Sequence, residues 1–380
     1  MKRIFTAIEK EFIFDTWKNG IGFSEIAKRI DSKPGTIFTV LRDTGGIKPY
    51  VRKPNKEHLS LAEREEIRVG LSSEMSIRAI AKMLDRSPST ISREVNRNRG
   101  RRHYKAVDAN NRASRMAKRP KPCLLDKNTE LRDLVVEKLK KNWSPEQISG
   151  WLKVTKSQSV SMQISAETIY KTIYFRNRQT LDHSMVKHLR RSHSLRQSKY
   201  HSRKGDRGTI SIASGRSIHK RPKHIDNRKR LGHWEGDLVT GKGNTHIATL
   251  VDRKSRYTII LKLKGKDAES VNNALKNAFN SLPCSLKRSL TWDRGMELAK
   301  HLDLTEATQV PVFFCDPQSP WQRGTNENTN SLIRQYFPKK TCLAQHSQER
   351  LNEVAKELNT RPRKTLGYKT PEQIISRVLR

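Results

Sequence analysis

Asp237, Asp293 and Glu327 are three acids in a strongly basic chain, and each falls where a secondary-structure element begins or ends. "HWEGDLV" alternates, which places Glu235 and Asp237 on one face of a strand. The apolar run "SLTWD" closes on Asp293 and breaks at Gly295. Glu327 stands in "DPQSPWQRGTNENTN", residues 316–330, after a loop broken by Pro and Gly and at the start of an amphipathic helix. Leu238 and Val239 beside Asp237 suggest a buried sheet, where a carboxylate needs a cation or a strong donor to stay ionised. Carboxylates delivered by separate elements suit Mg²⁺, with Mn²⁺ as a substitute. Two such ions about 3.5–4 Å apart can clamp the attacking and leaving oxygens of an in-line phosphoryl transfer. A water or a 3′-hydroxyl then attacks phosphorus with no covalent protein intermediate. Glu235, Asp252, Glu297 and Asp316 are read as supporting or structural acids, Asp316 before Pro317 being a turn residue.

The elements that must carry these acids are β-branched runs, "HIATLVD", "RYTIILKLKG", "SLTWD" and "VPVFFC", with helical stretches near Asp267 to Ser281 and Asn326 to Tyr336. Strands with intervening helices predict a mixed α/β domain, placed at 231–380 with C-terminal helices. Ahead of it, residues 187–230 hold fifteen Lys or Arg and two acids. Such a composition cannot order itself alone, so 181–230 is expected to be a linker lying on DNA. Residues 106–180 read as a helical connector, either an ordinary one or a further helix-turn-helix-like unit, with a helix starting at Ser144-Pro145-Glu146 after Trp143.

The N-terminal part repeats itself. "IAKRIDSKPGTI", 26–37, realigns on "IAKMLDRSPSTI", 80–91, at an offset of 54 with seven of twelve positions identical. Each copy predicts a short helix, a polar turn, and Pro in the first turn of a second helix. This is a helix-turn-helix pattern, with units at 1–55 and 56–105. In the second copy Ser87 stands at the N-cap and Ile91 and Val95 share the buried face. Its second helix would enter the major groove with Ser89, Thr90, Ser92 and Arg93 near base edges and Asn96 and Arg97 further along. The first copy has Gly35 and Phe38 where the second has Ser89 and Ser92, so it offers fewer base-reading groups.

Charge agrees with a nucleic-acid partner. The chain of 380 residues carries 77 Lys plus Arg against 38 Asp plus Glu, a formal +39, which suits double-stranded DNA through counterion release. No apolar run approaches the ~18 residues needed to span a bilayer, and Met1-Lys2-Arg3 opens no signal peptide. The expectation is a soluble cytoplasmic protein at the nucleoid. Cys123, Cys284, Cys315 and Cys342 form neither a zinc pattern nor a disulfide framework, and His219 and His224 read as solvated.

"GHWEGDLV", "LTWDRGMEL", "CDPQSPWQRGTNENTNSLIRQYF" and "LNTRPRKTLGYKTPEQII" closely resemble the bacterial DDE transposases of the IS-thirty insertion-sequence family. The resemblance covers nearly the whole chain, including the helix-turn-helix units and the 33 residues between Asp293 and Glu327. It implies an RNase-H-like, integrase-type catalytic fold with Asp237 on its first strand, Asp293 after its fourth and Glu327 on the following helix, together holding two Mg²⁺. It also implies recognition of terminal inverted repeats, strand cleavage at the element ends, joining of the 3′ ends to target DNA, and a homodimer or higher oligomer on DNA. Arg334, two helical turns after Glu327, matches the family's basic position beside the acid and would hold a DNA phosphate. Trp321 would be a packing wedge under the loop, and Asn326 a helix cap. Arg294-Gly295 replaces the Asn-Gly of many relatives, and Leu298 their Phe. The alternative is a helix-turn-helix regulator with an inactive catalytic domain. A retroviral-type integrase or nuclease is weakened by the missing N-terminal zinc motif.

Overall fold

The computed structural model describes residues 3–49, 58–117, 122–175, 180–196, 216–317 and 319–379. Two compact units result: Met1–Lys48 with Asn128–Arg380, and Pro49–Lys127.

The repeat is longer than its sequence identity. The first copy folds as α1 (Ala7–Lys18), α2 (Phe23–Arg29) and α3 (Pro34–Arg42); the second as α4 (Leu61–Ser72), α5 (Ile77–Met83) and α6 (Pro88–Arg97), followed by α7 (Ala106–Ala117) and the short α8 (Leu124–Lys127). Thr6 and Glu9 form a capping box on α1, as Ser60 and Glu63 do on α4, again 54 apart. After α2 and α5, Asp31 and Asp85 turn left-handed at φ 49° and 51°. The next amide donates back across the helix end, Ser32 N to Ala27 O at 2.8 Å and Arg86 N to Ala81 O at 2.9 Å. These C-terminal turns satisfy carbonyls that would otherwise be orphaned and set each hairpin's angle. Ile13, Ile26 and Ile37 are fully buried, as are their counterparts Ile67, Ile80 and Ile91. One expectation needs correcting: Ser87 occupies the N-cap position, but its hydroxyl pairs with that of Ser89 at 2.8 Å and caps no helix amide.

In the larger unit α9 (Thr129–Lys140), α10 (Pro145–Thr155) and α11 (Ala166–Tyr174) follow, α10 starting on a Ser144–Gln147 capping box with Pro145 at its first position. Gln147 Nε2 donates to Pro362 O at 2.9 Å, and Glu146 pairs with Lys364 at 2.7 Å, so α10 is tied to the C-terminal segment. The expected basic linker is more structured than its composition implies. Leu181, Val186, Leu189 and Leu195 are buried. Trp17 Nε1 donates to Arg196 O at 3.0 Å, and Arg196 N to Gly45 O at 2.9 Å. At the other end Ser217 bridges Phe314, and buried Arg221 donates to Thr291 Oγ1 at 3.0 Å. Sparse apolar residues in a basic run thus anchor on cores that other segments build; 197–215 lie outside the described residues.

The sheet contains β1 (His233–Thr240), β2 (His246–Asp252), β3 (Thr258–Lys262), β4 (Ser289–Trp292) and β5 (Val312–Phe314) in the order β3-β2-β1-β4-β5. The first three are antiparallel, and β4 and β5 run parallel to β1, the mixed sheet of an RNase-H-like domain. On one face α12 (Ala268–Asn280) and α13 (His301–Thr308) pack with Trp234, Leu250, Phe279, Leu290 and Trp292. On the other, Val239, Ile247 and Ile260 meet Leu332 and Ile333 of α14 (Gly324–Ile333) and Leu351, Val354 and Leu358 of α15 (Gln348–Asn359). The chain ends in α16 (Pro371–Leu379). Gly236 has to be glycine, because any Cβ there would run into the Trp292 ring. Among the described residues no helix is long and apolar enough to cross a membrane.

Candidate active site

β1 exposes its acids to α14 in two layers. Glu235, fully buried, ion-pairs with Arg253 Nη1 at 3.0 Å. Its Oε2 accepts from the amides of Thr325 at 2.9 Å and Asn326 at 3.0 Å. A carboxylate at a helix N-terminus meets unpaired amides and the positive end of the dipole, so Glu235 fixes where α14 begins. Asn326, predicted to cap the helix, does something else. It is buried, and its Nδ2 donates to Glu235 O at 2.8 Å. The α14 start therefore takes its capping acceptor from across the sheet.

Two residues along β1, Asp237 points to the same side. Its Oδ2 accepts from Asn330 Nδ2 at 2.9 Å, and its Oδ1 lies 3.0 Å from Arg323 Nη1. The other terminal nitrogen of Arg323 reaches Asp293 Oδ2, also at 3.0 Å, and Nη1 donates to Gly236 O at 2.8 Å. One guanidinium thus bridges the acid of β1 and the acid just after β4, although 293 and 237 are far apart in sequence. Burial raises the Asp237 carboxyl above its usual range, with Arg323's charge opposing and Asp293's adding. Burial alone would lower Arg323, but the two acids outweigh it and hold the guanidinium more firmly protonated. Glu297, whose Oε1 accepts from Trp292 Nε1 at 3.4 Å, is raised by burial first and then by the Asp293 charge against its hydrogen bonds.

Arg323, Glu327, Asn330 and Arg334 recur at helical spacing and form one stripe along α14 and its ends. Arg323 and Asn330 both touch Asp237, and Arg334 Nη2 donates to Thr240 O at 2.7 Å at the far end of β1. Glu327 lies between them, exposed. Asp237 and Asp293 are therefore brought together on one cation, and Glu327 is placed on the adjoining stripe. Among the described residues no three His, Cys, Asp or Glu side chains converge as a metal cluster. Asp237 and Asp293 nevertheless suit a cation: a positive group already sits between them, and Asp293 Oδ1 is buried with no hydrogen-bond partner.

Three relatives frame this geometry. Residues 6–42 match the IS30 family transposase N-terminal domain, 55–98 a helix-turn-helix domain and 227–320 the integrase core domain. The chain is 70% identical over 377 residues to the transposase InsI for insertion sequence element IS30C of Escherichia coli K12, covering 99% of this chain and 98% of that one. The chain belongs to the IS30 transposase family. More distant members include the transposase for IS1086 of Cupriavidus metallidurans, 39% identical over 85% of this chain and 95% of that one. The transposase for IS4351 of Bacteroides fragilis is 34% identical, over 85% and 97% respectively.

In this IS30-family chain the residues that sequence reasoning missed are Arg323 and Asn330. Both lie in the loop-helix motif at spacings of four and three from Glu327, and that spacing was the available signal. Trp321 is no wedge: it is 71% exposed, while the next residue, Gln322, pairs with Asp316 at 2.9 Å. His219 is not merely solvated, since its Nε2 lies 2.9 Å from Asp316 Oδ2. Asp252 is structural, binding the amides of Gly232, Lys254 and Ser255 at the turn after β2. In the second helical unit Ser87, Ser89, Arg93, Asn96 and Arg97 are exposed on α6, while Thr90 and Ser92 are half-buried beside buried Ile91 and Val95.

Proposed function

We propose that this chain cuts DNA at the ends of an insertion sequence and joins the freed 3′ ends to target DNA, with Asp237, Asp293 and Glu327 as its acids. The observation carrying this is the single guanidinium shared by Asp237 and Asp293, flanked on α14 by Glu327, in a chain of the IS30 transposase family. Asp237 and Asp293 would hold Mg²⁺ or Mn²⁺ with Glu327 completing the set. The ions would activate the attacking oxygen and stabilise the leaving one.

The chain's own residues do the rest. Glu235 and Asn326 fix α14 against β1, so that Glu327 and Arg334 approach along one line. Asn330 orients the Asp237 carboxylate through its Oδ2. Arg323 neutralises the two acids, and where a bound cation took over that role its charge would be available to a phosphate. Arg334 would hold a backbone phosphate further along. The exposed polar face of α6 would read the terminal repeat in the major groove, with Ser87, Ser89, Thr90, Ser92, Arg93, Asn96 and Arg97 as its contact residues. Two ends must be held together for coordinated joining, which calls for a dimer or higher oligomer on DNA.

The test is a labelled duplex carrying the element's own end, incubated with Mg²⁺ and wild type, Asp237→Asn, Asp293→Asn or Glu327→Gln. Nicking and joining by wild type alone, with all three variants still binding, is the expected result. Wild type that binds but never cuts in Mg²⁺ or Mn²⁺ would leave a DNA-binding regulator. Arg323→Gln should bind Mn²⁺ more tightly than wild type in calorimetry without DNA, since a competing cation has been removed.

A further inference from the structure

Glu327 lies on the stripe of α14 that also carries Asn330 against Asp237, and a group of arginines lies on other sides of the helix. Arg190, from the segment ahead of the sheet, donates to Asn328 Oδ1 at 2.9 Å and to the Ser331 hydroxyl. Arg361 donates to Gln335 Oε1 at 2.8 Å and to the Tyr336 hydroxyl at 2.6 Å, just past the helix end. Arg256 donates to the Thr325 hydroxyl at its start. Arg363 lies beneath, donating to Leu358 O at 3.0 Å.

Arg361 is 1% exposed and Arg363 8%, and the Nε of each is buried without a hydrogen-bond partner. Buried charges are ordinarily paired, because an unpaired one keeps its full desolvation cost. Yet among the described residues none of these four arginines has a carboxylate within ion-pair distance. Glu357 is linked to Arg361 through the Tyr336 hydroxyl, which accepts from Arg361 and donates to Glu357 Oε2 at 2.8 Å. Arg363 is pushed down to about 9, by burial first and then by the like charges of Arg361, Arg190 and Arg256. The missing counter-charge has to come from outside, and Arg190, exposed at the rim, is where it can enter.

We propose that Arg190, backed by Arg361, Arg363 and Arg256, forms a phosphate-binding site on the outer side of α14 that takes a phosphodiester of bound DNA. The site rests on the transposase reading and deepens it, because the same helix carries Glu327. A phosphate seated on Arg190 pulls on Asn328 and Ser331, the residues that follow Glu327 by one and four positions. DNA engagement and placement of the third acid are thereby joined through one helix. Guanidinium groups suit this role, since their fork matches two phosphate oxygens and they are weakly hydrated.

The experiment measures binding of the full chain to its end duplex and to an unrelated duplex of equal length across a salt series. Each phosphate contact contributes close to one unit to the slope of log K against log salt. Arg190→Gln should lower that slope by about one, equally on both duplexes because a phosphate carries no sequence. Arg190→Lys should restore it, which a purely structural role for Arg190 would not do. An unchanged slope in Arg190→Gln, with wild type binding normally, overturns the site and leaves the transposase reading standing. Wild type with a flat salt response overturns both. In a parallel arm the melting temperature is followed with inorganic phosphate against chloride at equal ionic strength. Protection of wild type but not of Arg190→Gln, together with an unchanged DNA slope, would assign the site to a free anion and overturn the DNA assignment.

Discussion

The two helical copies share a skeleton down to their turn dihedrals, yet their residues answer to different surroundings. In the first, Gly45 and Gly46 end the motif at φ 61° and 77°, and a Cβ on them would strike Tyr174 and Trp17 respectively. In the second, the same positions are Arg99 and Gly100, at φ 72° for both, and Gly100 has open space around it. The first copy needs two glycines because Tyr174 and the 195–196 segment close over it. The second copy stabilises itself internally: Arg64, on α4, pairs with Glu94 of α6 at 2.7 Å, both nearly buried, where the first has Lys10 and Val40. Two hairpins with the same skeleton thus become a docked element in one case and an internally paired one in the other. Side chains outside the repeated pattern make the difference.

That contrast can be broken most sharply at Glu94. Glu94→Val installs the first copy's residue and strands Arg64, which should cost about 3–5 kcal/mol of local stability. Adding Arg64→Met should recover most of it; hydrogen exchange at α4 and α6 reads both outcomes. Next comes the glycine pair. Gly100→Ala should cost roughly 1–2 kcal/mol, the ordinary penalty of a left-handed alanine. Gly46→Ala should cost about 1–3 kcal/mol more, because its methyl group also overpacks Trp17. Equal losses at the two sites in thermal unfolding would mean that the first copy is not held closed.

The proposed DNA contact of the second copy is tested by comparing Arg93 with its counterpart Thr39. Arg93→Ala should weaken end-duplex binding by about 1–3 kcal/mol, while Thr39→Ala, whose hydroxyl donates to Gly35 O at 2.9 Å, should change it little. A larger loss from Thr39→Ala in a mobility-shift titration would reverse the assignment of the two copies. The smallest expected effect is Trp17→Phe, which keeps the stacking on Phe23 but loses the indole bond to Arg196 O. It should cost about 1 kcal/mol in thermal unfolding.

Periodicity and turn chemistry carried much of the fold. The Pro starts, the polar turns and the alternation of "HWEGDLV" placed helices and strands within a residue or two of where they lie, since each depends on neighbours close in sequence. The basic stretch misled, because composition reports what a segment can do alone, and Leu195 and Arg221 are ordered by partners elsewhere. Trp321 misled for the opposite reason: apolarity predicts a wish for burial, yet in the folded loop the indole stays outside while its neighbour Gln322 pairs with Asp316.

The sequence by itself determined the repeat and the order of the elements, and it singled out the three acids proposed for the site, because these are written in local spacing and residue type. Only the tertiary structure decided that Arg323 bridges Asp237 and Asp293, that Glu235 rather than Asn326 supplies the capping acceptor at the start of α14, and that four arginines gather around that helix with no ion-pairing carboxylate among the described residues. Each joins residues tens of positions apart or more, and no periodic pattern marks such a contact. It arises when the sheet brings β1 and β4 side by side and α14 packs on β1 and β2 with Arg323 at its start, so that charges far apart in the chain share one low-dielectric space.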